Sequence, residues 1–242
     1  MRSVLLCLFC TFLLTAAPAS DRALGARDQR EQIVDEKFLQ EHPGSAAGHS
    51  SYAEFLSEEG NFRAASIHWR TAQLLAPGNA AIANSLGGAY LRMGKAAASA
   101  AQFARAIGLE SDNAAYHFNL ANVEFMLRHD LTAAWKMELP NVLRLALAEF
   151  REASRLSPND IEYARAYAET FYGMPNPDWL EAEAAWKHVL SLSPQRDFVY
   201  LQLARVSLKR GDAEGARQFL NKIIDARHDG LKRKLQAQAD RL

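Results

Sequence analysis

Apolar and small residues recur along this chain in paired blocks with three-to-four spacing, and the pair itself repeats about every thirty-four residues. Residues 46–77 read AAGHSSYAEFLSEEGNFRAASIHWRTAQLLAP, and residues 80–111 read AAIANSLGGAYLRMGKAAASAAQFARAIGLES. Tyr52-Ala53 falls on Leu86-Gly87, Leu56 on Tyr90, Gly60 on Gly94, Ala65 on Ser99, Trp69 on Phe103, Ala72 on Ala106 and Pro77 on Ser111. A small residue set against a large one at this period is what two antiparallel helices need in order to stack on a copy of themselves.

The same pattern divides most of the chain. Residues 20–30 are small and polar and read as a flexible lead-in. From residue 31 to 41, Ile33, Val34, Phe38 and Leu39 form a partial apolar stripe, the second helix of a truncated unit covering the end of the stack. Full units follow at about 46–79 and 80–113, with Gly60-Asn61 as the turn and helix cap of the first. Gly87 and Gly88 let helices approach closely in the second.

The third unit, about 114–160, breaks the rhythm. Its first helix runs from Ala114 to about Arg128 with Leu120-Ala121 as the large–small pair. Its second runs from about Asn141 to Leu156 with Ala146, Phe150 and Ala153 before Pro158. Tyr52 to Pro77 is 25 positions but Leu120 to Pro158 is 38, so thirteen residues are inserted, near 129–140. In the fourth unit, 161–196, Tyr167-Ala168, Phe171, Ala182, Trp186 and Pro194 take the expected places, and two residues are added within Gly173–Pro177. The fifth, 197–228, carries Tyr200, Leu203-Ala204, Gly211-Asp212, Ala216 and Leu220; residues 230–242, with Leu231, Leu235, Ala239 and Leu242, read as a capping helix.

A large residue followed by Gly or Ala, then Tyr, Ala, an aromatic and Pro, at this period, resembles the tetratricopeptide repeat. The resemblance covers roughly residues 45–228. It implies an all-α, right-handed α-solenoid of stacked helix-turn-helix units with capping helices, placing residues 31–242 in one repeat domain. It also implies a non-catalytic interaction scaffold.

The ends and the composition narrow the setting. Arg2, the apolar run from Val4 to Ala16 and the small-x-small Ala17-Pro18-Ala19 form a secretory signal peptide over 1–19, with the mature chain beginning at Ser20. The run is shorter than the ~20 residues a spanning helix needs; a retained anchor is the alternative. Cys7 and Cys10 both lie in this segment, so the mature chain has no disulfide, thiol nucleophile or Cys-ligated metal. No Asn-x-Ser/Thr sequon occurs, which favours a bacterial periplasmic or secreted protein. Twenty-eight basic residues balance twenty-eight acidic ones, without the basic excess of a nucleic-acid binder.

Catalytic chemistry is not signalled. The chain lacks Gly-x-Ser-x-Gly, Ser-x-x-Lys, His-Glu-x-x-His and a Gly-rich phosphate loop, and no two of its seven histidines stand at i,i+3 or i,i+4. We therefore expect no enzyme activity, metal or cofactor. His49 and His117 read as packing residues between repeats. Trp179 and Trp186 read as packing at the junction of the fourth and fifth units.

The resemblance further implies that positions 2, 5, 9 and 12 of each first helix face a concave groove. These include Asn84 and Leu91 in the second unit, Phe118, Asn122 and Phe125 in the third, Arg165 and Tyr172 in the fourth, and Leu201 and Arg205 in the fifth. The cationic set with which some family members hold a peptide carboxylate is missing: its places carry Ser50, Glu54, Ser85, Ala115 and Asn119. Asn119 and Asn122 can instead pair with the backbone of an extended peptide. So apolar a groove implies a protein or peptide partner, unless the chain covers it itself through the insertion, the terminal helix or close helix packing. Two alternatives stay open beside the adaptor: a self-associating structural solenoid, and an accessory subunit of an envelope enzyme complex.

Overall fold

The computed structural model describes residues 36–193 and 196–242. The expected export segment, the expected lead-in and Ile33-Val34 lie outside the described residues. Those described form helices joined by turns and short loops, without a strand. After a helical turn over 36–41 (α1) come α2 (Ala46–Glu58), α3 (Phe62–Leu75), α4 (Ala80–Arg92), α5 (Ala96–Leu109), α6 (Ala114–Met126), α7 (Arg128–Trp135) and α8 (Leu139–Leu156). The series continues with α9 (Ile161–Thr170), a 3-10 turn Phe171–Gly173, α10 (Trp179–Leu192), α11 (Arg196–Lys209), α12 (Ala213–Leu220) and α13 (Asp229–Ala239). Successive helices pack on each other along the chain, giving an all-α tetratricopeptide solenoid.

Local chemistry sets the boundaries. Asn61, Asn79, Asn113, Asp160, Asp178 and Asp212 each accept a hydrogen bond from a backbone N–H in the first turn of the helix they open. Gly60, Gly94 and Gly211 close the first helices of three units at φ of +75°, +69° and +76°, where a side chain is strained. Two prolines after Gly173 prevent α9 from running into α10.

The large–small pairs build the core. At Gly87 a Cβ would stand 2.9 Å from the Phe103 ring, so the absence of a side chain sets the α4–α5 distance. Ser99 Oγ donates to the Gly87 carbonyl at 2.8 Å across the same contact. Gly88 differs: a Cβ there meets nothing within 4 Å, so it takes no part in the close approach expected of it. Towards the other end, Trp186 is fully buried among Ala164, Ala168, Val189, Val199 and Leu203, and meets Phe198 of α11 edge-on at 6.2 Å. The terminal helix α13 seals that end with Leu235 and Ala239, while Leu231 and Leu242 remain exposed.

The inserted segment is itself mostly a helix. Arg128–Trp135 forms α7, which stops where Lys136 turns left-handed at φ 52°, and α8 starts at Leu139. Leu131 is fully buried against Ala96, Ala100, Phe103, Leu120, Val123 and Val142. The main partners of α7 beyond the adjoining α6 are α5 and α8, the second helices of neighbouring units. Its apolar face is thus spent on the layer of second helices.

Candidate protein-binding groove

The first helices α2, α4, α6, α9 and α11 supply the positions expected to face a groove, and the two halves of that surface differ. Over α2, α4 and the first half of α6 many of the cleft side chains are small or polar. A cleft of ≈ 530 Å³ opens there, lined by Ser57, Asn84, Ser85, Gly88, Leu91, Arg92 and Asn119, with Phe62, Trp69 and Phe103 also contributing. Gly88 adds to its width because it carries no side chain. The Arg92 guanidinium lies 4.9 Å from the centre of the Phe62 ring.

Two amides from neighbouring units meet in this cleft. Asn119 Nδ2 donates to Asn84 Oδ1 at 2.9 Å, both side chains half-buried. An amide side chain has two donors and a carbonyl oxygen. The contact therefore leaves donors on Asn84 and an acceptor on Asn119 side by side, matching the C=O and N–H that an extended backbone presents. Trp69, buried at the same cleft, has an indole N–H with no acceptor among the described residues. Asn122, expected to act with Asn119, turns inward instead: its Nδ2 donates to the Phe118 carbonyl of its own helix at 2.9 Å.

Over α6, α9 and α11 the aromatic positions are engaged within the protein. Phe118 lies 4.6 Å from Tyr163 and 5.7 Å from Phe150, and Phe125 lies 6.4 Å from Phe150. The Phe125 ring edge also approaches Gly173 so closely that a Cβ there would stand 2.8 Å away. Arg128 donates to the Phe125 carbonyl at 2.7 Å. Tyr172 sits beside Trp179 and Trp186, and its hydroxyl donates to the Gln202 carbonyl at 3.3 Å. Arg205 stacks 4.6 Å over the Tyr172 ring and donates to Gln202 Oε1 at 3.0 Å. Burial raises the pKa of the Tyr172 phenol and of the neighbouring Glu169 carboxyl. Arg165 is exposed and pairs with Glu169 at 3.6 Å.

One expected groove residue is a core residue. Leu201 is 2% exposed, packed among Ala204, Ala216, Leu220, Ile223, Leu235 and Ala239. In this unit α12 and α13 close over the side chain. Phe118, Phe125 and Tyr172 are half-buried rather than open, because consecutive units approach closely enough for their rings to stack.

The histidines bring a pairing that sequence distance hid. His49 Nδ1 lies 3.0 Å from His68 Nδ1, and His117 Nδ1 lies 2.6 Å from Glu149 Oε2. Both pairs join the two helices of a single unit rather than packing between units. Their common place in the repeat was the available signal: His49 and His117 are each the fourth residue of a first helix. Among the described residues no group of three or more His, Cys, Asp or Glu side chains is placed to hold a metal. No described helix is long and apolar enough to cross a membrane.

Residues 176–239 match the model of the tetratricopeptide repeat family. No curated protein matches the chain. Among solved structures, the chain is similar to YrrB, described as a TPR protein with an unusual peptide-binding site. Identity is 19% and the TM-score 0.65, covering 86% of this chain and 98% of that one. It is also similar to PilF of Pseudomonas aeruginosa, at 17% identity and a TM-score of 0.60, over 90% of this chain and 93% of that one. MamA from Desulfovibrio magneticus RS-1, residue 41 to its end, gives 13% identity and a TM-score of 0.58, over 78% of this chain and 96% of that one. The chain thus has the fold of a tetratricopeptide solenoid, and about its last quarter matches that family's sequence model.

Proposed function

We propose that this protein is an exported, non-catalytic adaptor that holds an extended segment of a partner protein in the cleft between α2, α4 and α6. The observation that carries the reading is the Asn84–Asn119 pair, which offers a donor and an acceptor side by side on neighbouring first helices. Amide side chains satisfy backbone groups without demanding a particular partner side chain. Ser57, Ser85 and Gly88 keep the cleft wide, Arg92 places one positive charge on its wall, and Leu91 gives an apolar contact. The peptide-binding site described for YrrB supports a peptide as the occupant of this fold.

Gly88 supplies the test. Phenylalanine at this position puts a ring into the cleft, and its Cβ meets nothing within 4 Å. Glycine inside a helix costs about 1 kcal/mol relative to alanine, so the substitution does not weaken α4. In affinity capture from the native envelope fraction, Gly88→Phe is expected to lose the specific partner of the wild type while melting at the same temperature or higher. Capture at wild-type levels by a well-folded Gly88→Phe protein rejects the cleft as the binding site. The export part of the proposal rests on Arg2, the apolar run and Ala17-Pro18-Ala19. N-terminal sequencing of the mature protein is expected to start at or within a few residues of Ser20; a retained Met1 in a cytoplasmic fraction rejects it.

A further inference from the structure

Among the described residues that line the cleft, Arg92 alone is charged, and no Asp or Glu stands beside it there. No carboxylate pairs with it among the described residues; its contact is the Phe62 ring, 4.9 Å from the guanidinium carbon. A guanidinium laid over an aromatic ring uses its flat face and keeps its N–H edge free, in the fork that a carboxylate accepts bidentately. A cation in the last turn of a helix is favourable by itself, but that does not call for a ring beneath it. Nor is the pairing a feature of the repeat. Thirty-four residues before and after Arg92 stand Glu58 and Met126, and thirty-four after Phe62 stands Ala96. The aromatic ring and the cation it holds come together at the junction of the first two units, beside the Asn84–Asn119 pair.

We propose that the segment held in the cleft is acidic, with the carboxylate of an internal Asp or Glu side chain bound by the Arg92 guanidinium; this rests on the cleft being the binding site. Asn84 and Arg92 lie eight residues apart on α4, about 12 Å along the helix axis. An extended chain covers that distance in about four residues. The acid therefore lies within about four residues of the stretch whose backbone meets Asn84 and Asn119. The two amides set where the backbone runs without reading its sequence, and the guanidinium reads one side chain. Leu91, next to Arg92 on the same lining, gives an apolar neighbour a place between the two. Arg92 is exposed in the free protein, so it keeps its hydration until a ligand arrives and the pair forms without a large desolvation cost. A lysine or arginine at the same place in the partner meets like charge and is disfavoured.

The test pans the full chain against a phage library of random peptides fused at their C-termini, so that no free C-terminal carboxylate is presented. The selected peptides are expected to be enriched in Asp and Glu. The best of them, synthesised with an amidated C-terminus, is then titrated by fluorescence anisotropy. Its affinity is expected to fall at least about fivefold in Arg92→Gln, to weaken as NaCl is raised, and to be unchanged in Arg70→Gln, an exposed arginine of α3 outside the cleft. Arg92→Glu is expected to lose this peptide and to bind the version in which lysine replaces its acid. Thermal melting checks that each variant is folded. Peptides that Gly88→Phe no longer binds, yet that show no acidic enrichment or bind Arg92→Gln as well as the wild type, overturn the acidic partner and leave the cleft standing. Selection of no peptide, or of peptides that folded Gly88→Phe binds equally well, overturns the cleft and the acidic partner together.

Discussion

Glu124→Gln is expected to stabilise this protein by several kcal/mol above pH 8 and to change little near pH 5. Glu124 lies on α6, is 4% exposed, and its Oε2 has no partner among the described residues. Burial first, and then the charge of Glu149 across on α8, push its carboxyl pKa up to about 8 from an ordinary 4.5. Glu149 is itself paired with His117 Nδ1 at 2.6 Å. Between those two values the folded chain holds a proton that the unfolded chain releases. Stability therefore falls as pH rises from about 4.5 to about 8 and is level beyond. The gap corresponds to about 4–5 kcal/mol, an order-of-magnitude figure. Glutamine keeps the shape and hydrogen-bonding capacity of the protonated acid and cannot ionise, so the slope contributed by this site disappears. Urea midpoints at pH 5, 7 and 9 for both proteins check it. Parallel curves across that range mean that Glu124 ionises in the folded state without penalty and that its burial is misjudged.

The repeat was legible because its signal is steric and periodic. Gly87 opposite Phe103 and Ala168 beside Trp186 are small where a helix must approach, and a period of this length repeats them often enough to fix the register. The Asn61 cap was equally local. The groove was less legible because orientation within a first helix does not say what the next unit does to a side chain. Phe118 and Phe125 stand where the pattern points inward, yet the following unit comes close enough to stack Tyr163 and Gly173 on them. Leu201 occupies an equivalent position, but in the last unit the terminal helix closes over it. Asn84 and Asn119 lie 35 residues apart, one repeat and a residue, so their meeting follows from the register once the distance between neighbouring first helices is known.

Least legible was the helix inside the insertion, and Leu131→Ala tests what holds it. Eight residues are too few to be helical alone, because nucleation is not repaid over so short a length. The turn is drawn together by tertiary contact: Leu131 is fully buried between α5 and α8, with Trp135 and Met137 packed beside it. Thr132 Oγ1 adds a 2.6 Å hydrogen bond to the Arg128 carbonyl, which does not bury apolar surface. Truncating a fully buried leucine costs roughly 2–5 kcal/mol, from lost transfer and the cavity left behind. Because the cavity opens where two units meet, the cost falls on the stack as a whole as well as on α7. His129→Ala, on the exposed side of the same helix, is expected to stay within about 0.5 kcal/mol of the wild type. Hydrogen exchange should show amides 128–135 losing protection in the leucine variant first. Since α7 packs on the second-helix layer, partner capture through the α2–α4–α6 cleft should survive wherever Leu131→Ala remains folded. A loss of stability below about 1 kcal/mol would place the insertion outside the core, and loss of capture by a folded variant would make it part of the recognition surface.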